Sequence, residues 1–141
     1  MTVYADSSLF VSLYTIDSHS NAARELMRSA SAVWFTPLHY AEWTHAIAQQ
    51  VFHGKITAAS ADEFYSHLAT DKAAGLWVEA GLPEQVYELC ADLARKYGPR
   101  LGVRTLDSLH VACALELKAG KFWTFDERQR KLAKAVGLKS A

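Results

Sequence analysis

Four acidic residues occupy positions where a carboxylate is costly unless it has work to do. Asp6 follows the apolar run Val-Tyr-Ala, and Asp126 follows Phe-Trp-Thr-Phe, so each ends a short apolar segment. Either residue alone reads as a turn or a helix cap, a common place for aspartate. Two such acids at the carboxyl ends of parallel strands would face one crevice. Glu42 lies inside an apolar helical pattern, with Leu38, His45 and Ala46 as its neighbours three and four positions away. Asp107 falls in the first turn of another helical pattern and shares a side with His110, Val111 and Ala114. An acid there also suits the helix dipole. Burying an unpaired carboxylate costs several kcal/mol, or the group stays protonated. One divalent cation shared by all four acids removes that penalty. An all-oxygen donor set suits Mg²⁺ or Mn²⁺ better than zinc.

The elements that must position these acids follow from the apolar pattern. Residues 2–5, 33–36, 76–80 and 122–125 read as four short strands. Ser7 or Ser8 is placed to cap a short helix through Leu9, Phe10, Leu13 and Tyr14, and residues 17–20 offer caps for a second. Pro37 reads as the first residue of a helix running to about His53 and closed by Gly54. Further helices are expected over 57–74, from Pro83 to about Gly98-Pro99, over 105–119 and over 127–136. Short strands alternating with helices predict an α/β domain with an open, mostly parallel sheet covered on both faces.

With 141 residues, half of them apolar, the chain suits one compact domain and is not disordered. No apolar run approaches the ~20 residues of a membrane helix. Asp6 interrupts the first apolar run and no basic stretch precedes it, so this is not read as a secretory signal and a cytoplasmic location is expected. Cys90 and Cys113 lie apart in apolar helical patterns and read as buried thiols rather than a disulfide or zinc site. The zero formal charge conceals an asymmetry. Residues 1–94 carry four basic and eleven acidic side chains, whereas residues 95–141 carry eleven basic and four acidic. A local basic field is compatible with a polyanionic partner.

Tyr4-Ala5-Asp6-Ser7-Ser8, Glu42 within Tyr-Ala-Glu-Trp, Thr105-Leu106-Asp107-Ser108-Leu109-His110 and Thr124-Phe125-Asp126-Glu127-Arg128 together resemble the acidic motifs of PIN-domain ribonucleases, most of all the VapC-type toxins of toxin–antitoxin pairs. No single motif is specific, but the ordered set spans the chain. The resemblance implies one PIN-like nuclease domain over residues 1–141, with a four- to five-stranded sheet. Only Lys139-Ser140-Ala141 follow Leu138 to supply the fifth strand. It further implies an Mg²⁺- or Mn²⁺-dependent endoribonuclease whose metal and catalytic positions are Asp6, Glu42, Asp107 and Asp126. Ser8 and Thr124 match supporting hydroxyls. The implied partners are an RNA substrate, a small cognate antitoxin and a second copy in a homodimer, with no membrane. Arg100, Arg104, Arg128 and Arg130 flank the acid motifs and are expected to position phosphates.

Two other functions are compatible with the same fold: a solo RNA-processing nuclease, and a non-catalytic module binding RNA or a protein partner. Six histidines invite a metal-free acid–base mechanism, but no pair forms a motif, and His110 reads as a partly buried neighbour of Asp107. The four tryptophans fall within strand and helix patterns and read as core rather than base-stacking residues. No glycine-rich phosphate loop is present.

Overall fold

The computed structural model of the chain describes Thr2–Ala141. Its elements follow in the order β1 (Thr2–Ala5), α1 (Ser8–Tyr14), α2 (Ser20–Ser29), β2 (Ala32–Phe35), α3 (Pro37–Phe52), α4 (Ala58–Ala73), β3 (Val78–Glu79), α5 (Val86–Leu101), α6 (Thr105–Glu116), β4 (Lys121–Trp123) and α7 (Glu127–Ala135). The strands form a parallel sheet in the order β3-β2-β1-β4, which places β1 in its interior.

Alternation along the strands separates two apolar layers. Val3, Ala5, Val33 and Phe35 face one cluster, together with Leu9, Phe10, Trp43, Ile47 and Trp77. Tyr4 and Phe122 face the other, with Val86, Leu93, Val111 and Leu132. Helices α1–α4 therefore cover one face and α5–α7 the other. Cys90 and Cys113 are free and buried, and burial pushes the Cys113 thiol up to about 11. No described helix is long and apolar enough to cross a membrane.

The α/β architecture and its four parallel strands match the sequence reading, and the differences lie at element ends. Helix α5 runs through Gly98-Pro99 rather than stopping there. Proline fixes a helix-compatible φ but forfeits its own donor and crowds the carbonyl four residues back; α5 absorbs this near its end, and the true stop is Gly102, left-handed at φ 66°, whose N–H reaches Gly98 O at 2.8 Å. The helix expected over 105–119 ends at Glu116, because Lys118 takes the left-handed turn (φ 56°) before Gly120 is reached. The third strand is shorter than expected and α5 begins at Val86, three residues beyond Pro83. Ser7 precedes α1 without a side-chain capping bond, and His19 rather than a residue with a capping hydroxyl precedes α2. In place of a fifth strand there is one parallel bridge, Phe122 with Ser140.

Candidate active site

The carboxyl ends of β1 and β4 adjoin: Ala5 pairs with Trp123, and Asp6 N–H donates to Trp123 O at 2.9 Å. On the other side of β1, the Ala5 carbonyl accepts from His39 Nε2 at 2.7 Å. Ala5 C=O and Asp6 N–H belong to one peptide unit, so both polar groups of that unit are engaged and its plane is fixed. His39 also builds the start of α3. Its Nδ1 accepts from Thr36 N–H at 3.0 Å, while Thr36 Oγ1 accepts from His39 N–H, closing a capping box. Those partners require a neutral ring with its hydrogen on Nε2. Burial, with the neighbouring His110 ring adding to it, lowers its pKa to about 3. Because Glu42 stands three residues after His39, it shares this anchored face of α3.

Glu42 and Asp6 meet at His110. Ser7 Oγ donates to Glu42 Oε1 at 2.9 Å, and His110 Nε2 is hydrogen-bonded to the same carboxylate oxygen. Asp6 Oδ1 lies 3.7 Å from His110 Nε2, and Asp6 Oδ2 accepts from Ser8 Oγ at 2.7 Å. His110 Nδ1 faces the Tyr4 hydroxyl at 2.8 Å. Burial holds the Tyr4 phenol far above its usual pKa, so it keeps its hydrogen. A lone pair on Nε2 would repel the Glu42 oxygen, so this nitrogen carries a hydrogen and Tyr4 can donate to Nδ1.

Asp107 and Asp126 are placed by their helices. Each serves a helix start: Asp107 Oδ2 accepts from Arg104 N–H at 3.1 Å and from Arg104 Nε at 3.3 Å, and Asp126 Oδ1 accepts from Gln129 N–H at 2.8 Å. The buried Gln129 joins them by donating from its side chain to Asp107 O at 3.3 Å. Asp107 and His110 lie one turn apart on α6, which brings Asp107 next to the group that Asp6 and Glu42 share. Thr124 Oγ1 accepts from Asp126 N–H at 3.0 Å.

Of the four predicted acids, Asp6 and Glu42 thus meet at His110, while Asp107 and Asp126 each hold a helix start and are linked only through Gln129 and the backbone of Asp107. Among the described residues, no three acidic, histidine or cysteine side chains already converge as a metal-binding group. The donor chemistry nevertheless fits a hard divalent cation. The side chains of Asp6, Glu42 and Asp107 are 20%, 25% and 12% exposed, largely withdrawn from water yet still reachable. Of the four basic residues, Arg104 pairs with Asp107, and Arg130 pairs with Glu127 and donates to Thr124 O at 2.7 Å. Arg128 is exposed, and Arg100 lies over the Tyr97 ring at 5.8 Å.

Sequence reasoning understated His110, which is fully buried rather than partly so, and missed Ser7 and Gln129. The three-residue step from Asp107 to His110 was the available signal for the first. Nothing in the sequence singled out Ser7 over Ser8, or Gln129.

Among solved structures, the toxin VapC20 of Mycobacterium tuberculosis, described as cleaving the sarcin-ricin loop, matches with TM-score 0.73 and 13% identity, over 99% of this chain and 98% of that one. FitAcB from Neisseria gonorrhoeae matches with TM-score 0.71 and 14% identity, over 98% and 95% of the two chains. VapBC2 from Rickettsia felis, bound to a DNA fragment from its promoter, matches with TM-score 0.67 and 14% identity, over 100% and 98%. At these identities the likeness is one of fold. No curated protein matches the chain. The PIN domain family model matches residues 3–135, nearly the whole chain, so the chain belongs to the PIN domain family.

Proposed function

We propose that the chain is a divalent-metal-dependent endoribonuclease, its nuclease domain spanning residues 1–141, and the toxin of a VapBC-type pair held in check by a small antitoxin. The observation supporting this reading is that Asp6 and Glu42 converge on His110 at the carboxyl end of β1, while Asp126 follows the adjoining β4 and Asp107 stands one turn before His110 on α6. Asp6, Asp107 and Asp126 would hold Mg²⁺ or Mn²⁺, with Glu42 either joining them or orienting the attacking water. The chemistry such an ion supplies is a lowered pKa for bound water and polarisation of the phosphodiester. Ser8 supports Asp6 through its hydroxyl, and Thr124 fixes the backbone of Asp126. Arg104 and Arg130 stand beside the acids and would meet RNA phosphates, with exposed Arg100 and Arg128 extending the basic surface. FitAcB and VapBC2 as solved structures of this fold support the toxin–antitoxin assignment, and a homodimer in the cytoplasm completes the reading.

The test is RNA cleavage by purified protein with Mg²⁺ or Mn²⁺, repeated with EDTA and with Asp6→Asn. Cleavage that needs the cation and is lost in a folded Asp6→Asn sample is expected. Cleavage indifferent to both would overturn the reading. Recovery of a small co-expressed neighbour bound to the protein would separate a toxin from a solo nuclease.

A further inference from the structure

Phe125 stands between Thr124 and Asp126 but packs in neither apolar cluster. Its neighbours are aromatic. Trp123 meets it edge-on with centroids 4.2 Å apart, and His19 stacks on it at 3.8 Å with 22° between the planes. Trp123 is anchored against the first cluster, so the inner end of this stack is rigid. The outer end is held too. Asp17 accepts from His19 N–H at 2.8 Å, from Ser12 Oγ at 2.8 Å and from Ser20 Oγ at 3.3 Å, which pins the turn between α1 and α2 that delivers His19. The His19 ring is exposed. A fixed ladder of three rings therefore runs from the core to solvent, its middle ring one residue from Asp126.

We propose that Trp123, Phe125 and His19 form a stacking platform for a nucleobase next to the phosphodiester that is cut, an inference that rests on the ribonuclease reading. Aromatic faces hold unpaired bases by stacking, whatever the base, while nearby cations hold the phosphates. Both parts are present: Phe125, the middle ring, immediately precedes Asp126 in the chain, and Arg128 and Arg130 follow on α7. The contribution falls on substrate binding rather than on base preference or the chemical step, because every base offers a π-face.

The test uses short single-stranded RNA and three proteins in the inert Asp6→Asn background: unaltered, His19→Ala and Phe125→Leu. His19 is exposed, so His19→Ala leaves the core intact, and thermal melts verify Phe125→Leu. Each substitution is expected to raise Kd about tenfold. In the active background it raises KM and leaves kcat within about twofold. Moving an abasic nucleotide along the RNA identifies the stacked base, because at that position the His19→Ala penalty disappears. Equal Kd values for all three proteins, or a penalty that persists with the abasic unit at every position, overturns the platform while leaving the nuclease reading in place. RNA that binds none of the proteins overturns both.

Discussion

The imidazole of His110 is hydrogen-bonded to the carboxylate of Glu42, 68 positions earlier in the chain, and is itself fully buried. Tyr4 holds the far side of the ring. Glu42 is thereby oriented from beneath by two groups that do not reach solvent.

Tyr4→Phe keeps the ring and removes the hydroxyl, leaving Nδ1 of a buried imidazole without its partner. A loss of about 1–3 kcal/mol in stability is expected, measurable by denaturant unfolding. His110→Leu removes the ring's contacts with Tyr4, Ser7 and Glu42. If His110 orients Glu42 toward a metal, this change lowers Mn²⁺ affinity by about 10- to 100-fold, read by calorimetry on folded protein. Unchanged affinity would mean that His110 serves packing alone.

Capping and chemistry can be separated at Asp126. Asparagine caps a helix about as well as aspartate, so Asp126→Asn should melt near the unaltered protein yet lose RNA cleavage. Asp126→Ala should also lose about 1 kcal/mol, because the Gln129 amide goes unpaired. Melting curves of the two variants beside their cleavage rates decide the matter.

His39 makes stability pH-dependent. Its folded pKa is lowered to about 3, chiefly by burial, against about 6.5 for the unfolded chain. Between those values the unfolded chain binds more protons, so stability rises with pH. The contribution of the neutral ring is fully present above about 6.5 and is lost progressively as pH falls toward about 3. The slope approaches 1.4 kcal/mol per pH unit. His39→Gln should flatten the acid limb of a plot of stability against pH. A limb of equal steepness would assign acid unfolding to other groups.

Gly102 ends α5 at φ 66°, and an added Cβ would meet nothing within 4 Å. Gly102→Ala therefore isolates backbone strain from steric clash, and the expected cost is about 1 kcal/mol, seen as a lower melting temperature with unchanged cleavage.

The layered α/β plan was legible because alternation in β1 and β2 and the helical spacing around Trp43 and Ile47 are local signals. The four acids stood out as candidates because of where they fall in or beside apolar patterns. What could not be read was which side chains they meet. The Ser7–Glu42 contact spans 35 positions and the Tyr4–His110 contact 106, and no local pattern records such distances. Helix ends were misjudged where a residue acted against type: Pro99 inside α5 and Lys118 in a left-handed turn.

The peptide unit joining Ala5 to Asp6 is clamped on both sides, by His39 and by Trp123. Its amide hydrogen should therefore exchange with deuterium only when the central sheet opens, hours behind the loops around it, although the acid it carries looks out on water. The aspartate would ride on one of the least yielding links of the backbone, able to turn its side chain while its anchor stays put.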